Sequence, residues 1–205
     1  VTINGTNDGA VIGGDDIGAV TEDVAVVSGN LTDTGALTIT DADSGEASFN
    51  PASVSYTGGG TQLGTLAINA AGVWTYTVSN ADVQYLGLGD TKVETFTVQS
   101  VDGTPHTITV TINGTNDGAV IGGDDEGAVT EDVAVVSDNL TATGTLTITD
   151  ADSGEDSFNP GSVVYTGGGT QLGTLTINAA GVWTYTVANA DVQYLGLGDT
   201  KVETF

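Results

Sequence analysis

The chain predicts an all-β fold in which β-sandwich domains of about seven strands follow one another end to end. Three observations predict it. Residues 1–96 recur as residues 110–205, offset by 109 positions and differing at only nine of them, from Ile17/Glu126 to Ser79/Ala188. A period of that length exceeds the roughly 20–50 residues of solenoid repeats and matches one whole domain. Within each period, short runs alternate apolar with small polar residues, the pattern of strands with one buried face. Clusters of Gly, Asn and Asp separate those runs, as turns require.

Taken in order, the strand signals are Leu37-Thr-Ile39-Thr40, Leu66-Ala-Ile68, Trp74-Thr-Tyr76-Thr-Val78, Phe96-Thr-Val98 and Ile108-Thr-Val110-Thr-Ile112. The punctuation falls at Asp43-Ser-Gly45, Gly58-Gly-Gly60, Ala71-Gly72 and Asp102-Gly103. Val101-Asp-Gly-Thr-Pro-His106 reads as a hairpin turn, and Asn80 to Leu86 as a single helical turn at a sandwich corner. Trp74, Tyr76, Val78, Phe96, Val98, Ile108 and Val110 are expected in the core, which makes Trp74 and Trp183 packing residues rather than sugar platforms. The expected organisation is a tail of a preceding repeat at 1–11, a complete repeat with its linker at 12–120, and a second repeat at 121–205 that stops before its last strands. The gap is expected to be filled by a neighbouring chain, or the sequence to be a window on a longer tandem array.

Composition restricts the function. There are 27 acidic residues against two lysines and no arginine, a net charge of −25, and one period (residues 1–109) carries 13 acids with Lys92 alone. Nucleic acid and anionic membranes are bound through Lys and Arg, so neither is an expected partner. No apolar run nears the roughly 20 residues of a bilayer span, and no direct membrane insertion is expected. Without cysteine there is neither a disulfide nor a thiolate metal site. An enzyme is not expected: His106 is the single histidine and no Gly-x-Ser-x-Gly elbow is present. Self-repulsion on this scale opposes a compact state unless counter-ions relieve it.

The acids gather at loops, strand ends and the connector, a density of oxygen ligands that suits Ca²⁺. The candidate ligands are Asn113, Asn116 and Asp117 in the connector, with Asn7 and Asp8 as their upstream counterparts. Next come Asp124 and Asp125, then Glu131 and its counterpart Glu22. Asp-x-Asp pairs follow at Asp41/Asp43 and Asp150/Asp152, then Asp90 with its counterpart Asp199, and Asp102 in the last hairpin. Glu94, four residues after Asp90, reads equally as ligand or as solvated charge. Asp33, Asp138, Glu126 and Asp156 change between the copies and read as solvated charge. The loops are not EF-hands, since positions 5 and 12 counted from Asp41 are Gly45 and Ala52. An immunoglobulin-like topology is expected to bring Glu22, Asp41, Asp43 and Asp102 together where the chain enters a unit. Asp90 and the exit segment then lie at the opposite end, so that stacked units set Asp90, Asn116 and Asp117 against Glu131, Asp150 and Asp152.

These motifs resemble cadherin repeats: Glu131, the Asp150-Ala-Asp152 loop, Asp102-Gly103 in the last hairpin, and the linker Asn113-Gly-Thr-Asn116-Asp117. The linker departs from the pattern in having Asn113 for an Asp and Ala119 for the usual Pro. The chain is more similar still to VCBS repeats, the cadherin-like extender units of giant RTX-type bacterial adhesins. It carries Ala128-Val-Thr-Glu-Asp132, Gly144 to Asp152, Gly64-Thr-Leu-Ala-Ile-Asn69 and Val110 to Asp117 nearly verbatim. The resemblance implies a Ca²⁺-stiffened spacer, exported by type I secretion to the bacterial surface, with neighbouring repeats as its partners and no ligand of its own. It also implies that the parent adhesin projects a distal binding domain for attachment and biofilm formation. The alternative is an adhesive or carbohydrate-binding module that itself contacts a ligand.

Overall fold

A computed structural model describes all 205 residues, as two compact units, Val1–Asp117 and Gly118–Phe205. The first contains eight strands: β1 (Val11–Gly14), β2 (Ile17–Thr21), β3 (Asn30–Thr40), β4 (Phe49–Tyr56), β5 (Thr65–Ile68), β6 (Val73–Ser79), β7 (Thr91–Ser100) and β8 (Pro105–Asn113). They form two sheets, β1-β3-β6-β5 and β2-β8-β7-β4. Every pairing is antiparallel except β2 with β8. The count exceeds seven because the first strand is split, one piece in each sheet.

The split has an identifiable cause. Gly14 has φ +101°, and a Cβ there would lie 2.6 Å from the Ala36 carbonyl oxygen, so only glycine permits the break. Trp74 then anchors the crossing: its indole N–H donates to the Asp15 carbonyl at 2.7 Å, while Thr109 N–H donates to that of Asp16 at 2.9 Å. The ring is fully buried, and Gly35 leaves room for it, since a Cβ there would sit 2.4 Å from the ring.

The alternating runs fill the space between the sheets. Trp74, Tyr76, Val78, Phe96, Val98, Ile108 and Val110 are all buried, joined by Leu31, Leu37 and Phe49. The rings of Tyr76 and Phe96 meet edge to face at 5.9 Å, a favoured aromatic geometry. The corner turn shrinks to a 3₁₀ turn over Asn80–Asp82, which sinks Val83 and Leu86 into the core.

The second unit forms one sheet, order β11-β12-β10-β9, from β9 (Val120–Gly123), β10 (Asn139–Thr149), β11 (Thr174–Ile177) and β12 (Val182–Ala188). Its registers repeat those of the first: Gly144 faces Trp183 as Gly35 faces Trp74. Residues 126–130, 158–165 and 200–205, which match β2, β4 and the start of β7, are not strands; Pro160–Ser162 is a 3₁₀ turn. No helix is long and apolar enough to cross a membrane.

Candidate metal centre

β3 delivers the chain to its acidic turn. Where the strand ends, Asp41 accepts the N–H of Asp43 through Oδ1 at 2.8 Å, the Asx turn that a short carboxylate side chain favours. Gly45, at φ +91°, then folds Glu46 back, and its N–H reaches the Asp43 carbonyl at 3.4 Å. One carboxylate oxygen from each of Asp41, Asp43 and Glu46 lies within 4.8 Å of the others. The connector enters the same place, Asp8 N–H donating to Asp43 Oδ2 at 2.7 Å. Asp102 stands beside them in the β7–β8 hairpin and accepts from Ala10 N–H at 3.1 Å.

The electrostatics of this leading end are those of crowded anions. Burial, then Asp43, Asp41 and Asp102, raise the Glu46 pKa above the ordinary carboxylate value. Hydrogen bonds from Ser100 and Thr104 hold Asp102 far below it. Asp41 Oδ2 and Glu46 Oε2 are buried without a hydrogen-bond partner. Buried carboxylate oxygens need compensation, and hard oxygen donors from three acids are what a divalent cation such as Ca²⁺ takes. The donor set fits the ion.

Glu22 is not part of this group. β2 runs parallel to β8 with Thr21 opposite Asn113, which carries Glu22 to the trailing end, where the chain leaves the unit. There Glu22 is fully buried and accepts Thr115 N–H at 2.6 Å, with a carboxylate oxygen within 4.8 Å of one from Asp117. The eleven residues of β3 separate Glu22 from Asp41, on the order of 30 Å at the strand rise. The expectation grouping Glu22 with Asp41, Asp43 and Asp102 is therefore corrected. Entering at Asn7 and Asp8, the chain traverses the whole sandwich in β1 and β2 before it reaches Glu22.

The other candidates divide by end. Asp90 is exposed, and its carbonyl accepts Gly114 N–H at 3.0 Å, which places it at the trailing end. Asn113 ties β8 to β2 through the Val20 carbonyl at 3.1 Å. Asn7 and Asn116 turn onto the carbonyls of Asp8 and Asp117. In the second unit, Asp150 repeats the Asx turn with Asp152 N–H at 2.9 Å at the end of β10. Glu131 precedes Asp132, whose N–H binds Asn189 at the opposite end of that strand, so Glu131 and the Asp150–Asp152 turn also stand apart. Asp124 and Asp125 are exposed, Asp124 lending its carbonyl to Trp183 at 2.6 Å. Asp199 caps Gly196 N–H at 3.0 Å.

Two acids have structural work. Glu94 is fully buried and accepts from Leu63 N–H (2.6 Å), Gly64 N–H (2.9 Å) and the Tyr76 hydroxyl (2.7 Å). Solvated charge does not describe this buried position, where the carboxylate ties residues 63–64 to Tyr76. Burial, then this hydrogen bond, pushes the Tyr76 pKa well above the phenol range. Asp33, expected in solvent, accepts Ala19 N–H at 2.7 Å and joins β3 to β2. Glu46, by contrast, was not among the candidate ligands. The signal for it was present in Asp41-Ala-Asp-Ser-Gly-Glu46, where the glycine turn returns the sixth residue to the first.

A two-sheet sandwich with a split first strand and acids at both ends is the architecture of cadherin-like domains. The model of the family described as bacterial cadherin-like domain matches residues 7–114, more than half of the chain, and the chain belongs to that family. No curated protein matches it. Among solved structures, the extracellular cadherin domains 1–5 of protocadherin Gamma B2 match at 12% identity and a TM-score of 0.54, over 89% of this chain and 33% of that one. PcdhgB3 EC1-4 matches at 15% identity and 0.43, over 88% and 41%. A 1.5-MDa bacterial ice-binding adhesin matches at 20% identity and 0.27, over 92% and 56%. The chain thus spans well under half of the two protocadherin structures, and the first of these likenesses speaks for the fold alone.

Proposed function

We propose that the chain is a stretch of calcium-stiffened extender repeats from a large secreted bacterial adhesin of the RTX type. In this reading residues 12–120 are one repeat, residues 1–11 close the preceding one and residues 121–205 begin the next. The repeats are non-catalytic. They reach the cell surface by type I secretion and hold a distal binding domain away from the cell for attachment and biofilm formation. The observation that carries the reading is the pair of buried, partnerless oxygens, Asp41 Oδ2 and Glu46 Oε2, in a three-carboxylate turn.

Asp41, Asp43 and Glu46 would hold the ion at the leading end, and Glu22, Asp90 and Asp117 supply acids at the trailing end. Bound Ca²⁺ supplies positive charge that cancels the repulsion among these acids. In an array, ions bridging the trailing acids of one repeat and the leading acids of the next would turn a flexible string into a rod. Extracellular Ca²⁺ modules bind with Kd of about 10⁻⁴–10⁻³ M, and ion in hundredfold excess over Kd stabilises the folded state by about 2.7 kcal/mol per site. For a domain of this size that corresponds to roughly 10–20 °C in Tm. Melting the chain in EDTA, in millimolar Ca²⁺ and in Mg²⁺ tests the reading. A rise specific to Ca²⁺ is expected; equal melting in all three sinks it.

A further inference from the structure

Four hydrogen-bond donors converge on the Asp102 carboxylate. Oδ1 accepts from the Ser100 hydroxyl and from Thr104 N–H at 3.3 Å. Oδ2 accepts from the Thr104 hydroxyl at 2.7 Å and from Ala10 N–H at 3.1 Å, the latter shared with Thr104 Oγ1 at 3.3 Å. A carboxylate offers about four lone-pair sites, two on each oxygen, and here each oxygen already has two donors. Ser100, itself buried, is fixed in turn by Thr104 N–H at 2.9 Å. The neighbouring acids differ: Asp41 Oδ2 and Glu46 Oε2 have no donor at all, and Asp43 Oδ2 has only Asp8 N–H.

We infer that Asp102 is a positioning residue that clamps the incoming segment at Ala10 to the β7–β8 hairpin, and that the cation falls to Asp41, Asp43 and Glu46. The inference rests on the calcium reading for the ion, but not for the clamp, whose donors all belong to the chain. A cation on Asp102 would have to displace one of four donors, whereas the orphaned oxygens beside it have nothing to lose. The clamp therefore sets where the incoming segment lies before any ion binds, and the ion meets a site already half assembled.

Two measurements on the full 205-residue chain separate the roles: amide exchange of Ala10 in EDTA, and calcium ions bound at saturation. Thr104→Val removes one donor to Asp102 and leaves every carboxylate in place; it should speed Ala10 exchange about tenfold, as loss of a local restraint does, with the ion count unchanged. Asp102→Asn should do the same, again without losing an ion, while Asp41→Asn should lose at least one and leave Ala10 protected in EDTA. An ion lost with Asp102→Asn would make Asp102 a ligand and overturn the assignment. So would Ala10 exchange indifferent to Thr104→Val. If the unaltered chain bound no calcium, the calcium reading would fall, while Ala10 exchange would still decide the clamp.

Discussion

Phe49 and Phe158 occupy the same position in two nearly identical repeats and end in different surroundings. Phe49 starts strand β4, opposite Ser100 of β7, and is 1% exposed. Phe158 lies outside any strand and is half-buried. The local turn hydrogen bond is kept, Asn50 accepting Ala52 N–H at 3.1 Å and Asn159 accepting Gly161 N–H at 3.0 Å, although Ala52/Gly161 and Ser55/Val164 differ. What differs is the partner. In the first unit, residues 91–113 build β7 and β8 and hold β4 and β2, whereas residues 200–205, which match the start of β7, pair with neither segment as a strand. Residues 126–130, with Glu126 for Ile17, are likewise no strand, and their counterpart β2 is held by β8. The comparison teaches that β2 and β4 are strands by pairing, whereas β1, β3, β5 and β6 recur in the second unit and need only one another.

The hardest test of that statement is to supply the partner. Appending the sequence of Thr97–Asp117 after Phe205 should convert residues 126–130, 158–165 and 200–205 into protected strands, read by amide exchange. It should also bury Phe158 and Phe205, each worth up to about 1.5–3 kcal/mol if fully buried. If those segments still exchanged freely, pairing would not be the cause.

Glu94 and Glu203 sharpen the same contrast. Both accept two backbone amides and a tyrosine hydroxyl. Burial opposes ionisation of Glu203, but its hydrogen bonds and Lys201 lower its pKa on balance. Glu94 is fully buried and Glu203 half-buried. Replacing Glu94 by Ala should therefore cost about 2–4 kcal/mol, because it leaves buried amide and hydroxyl donors without their acceptor, and Glu203→Ala about 1 kcal/mol. Denaturant melts followed by amide exchange in each unit check this, and equal costs would show that the closing strands add nothing.

At the leading end, Glu46 is half-buried while its counterpart Glu155 is exposed. A carboxyl whose folded pKa lies above the unfolded value of about 4.3 opposes folding at neutral pH, and that penalty is relieved as pH falls through the folded value. In EDTA the first unit should gain stability when acidified from neutral; in Ca²⁺, which holds the carboxylates ionised, it should lose stability. Melts against pH in both media settle the sign.

The smallest effect concerns Asp138, at φ +65° where the first unit has Gly29 at +80°. Asp138→Gly should relieve a left-handed side chain and change stability by less than about 1 kcal/mol, measured by the urea midpoint of the second unit.

The alternation at Trp74–Val78 and Ile108–Ile112 made β6 and β8 legible, because each strand buries one face and the residues say which. β4 gives little such signal: Phe49-Asn-Pro-Ala-Ser breaks alternation with a proline, and the register to β7 shifts between Asn50 and Ser55. The acidic turn was equally plain, since Asp41-Ala-Asp43 is local chemistry. The partners of Glu22 were not, because they depend on which strand β2 lies beside and in which direction.

The sequence by itself determined the repeat, the β class, most of the core and the Asp-x-Asp pairs, since composition, alternation and local spacing act over a few residues. Only the tertiary structure decided that the first strand changes sheets at Gly14, that Glu22 leaves the company of Asp41, and that Glu94 is buried beneath Tyr76. Each of these depends on contacts between residues far apart in the chain, where pairing and packing outweigh any local preference.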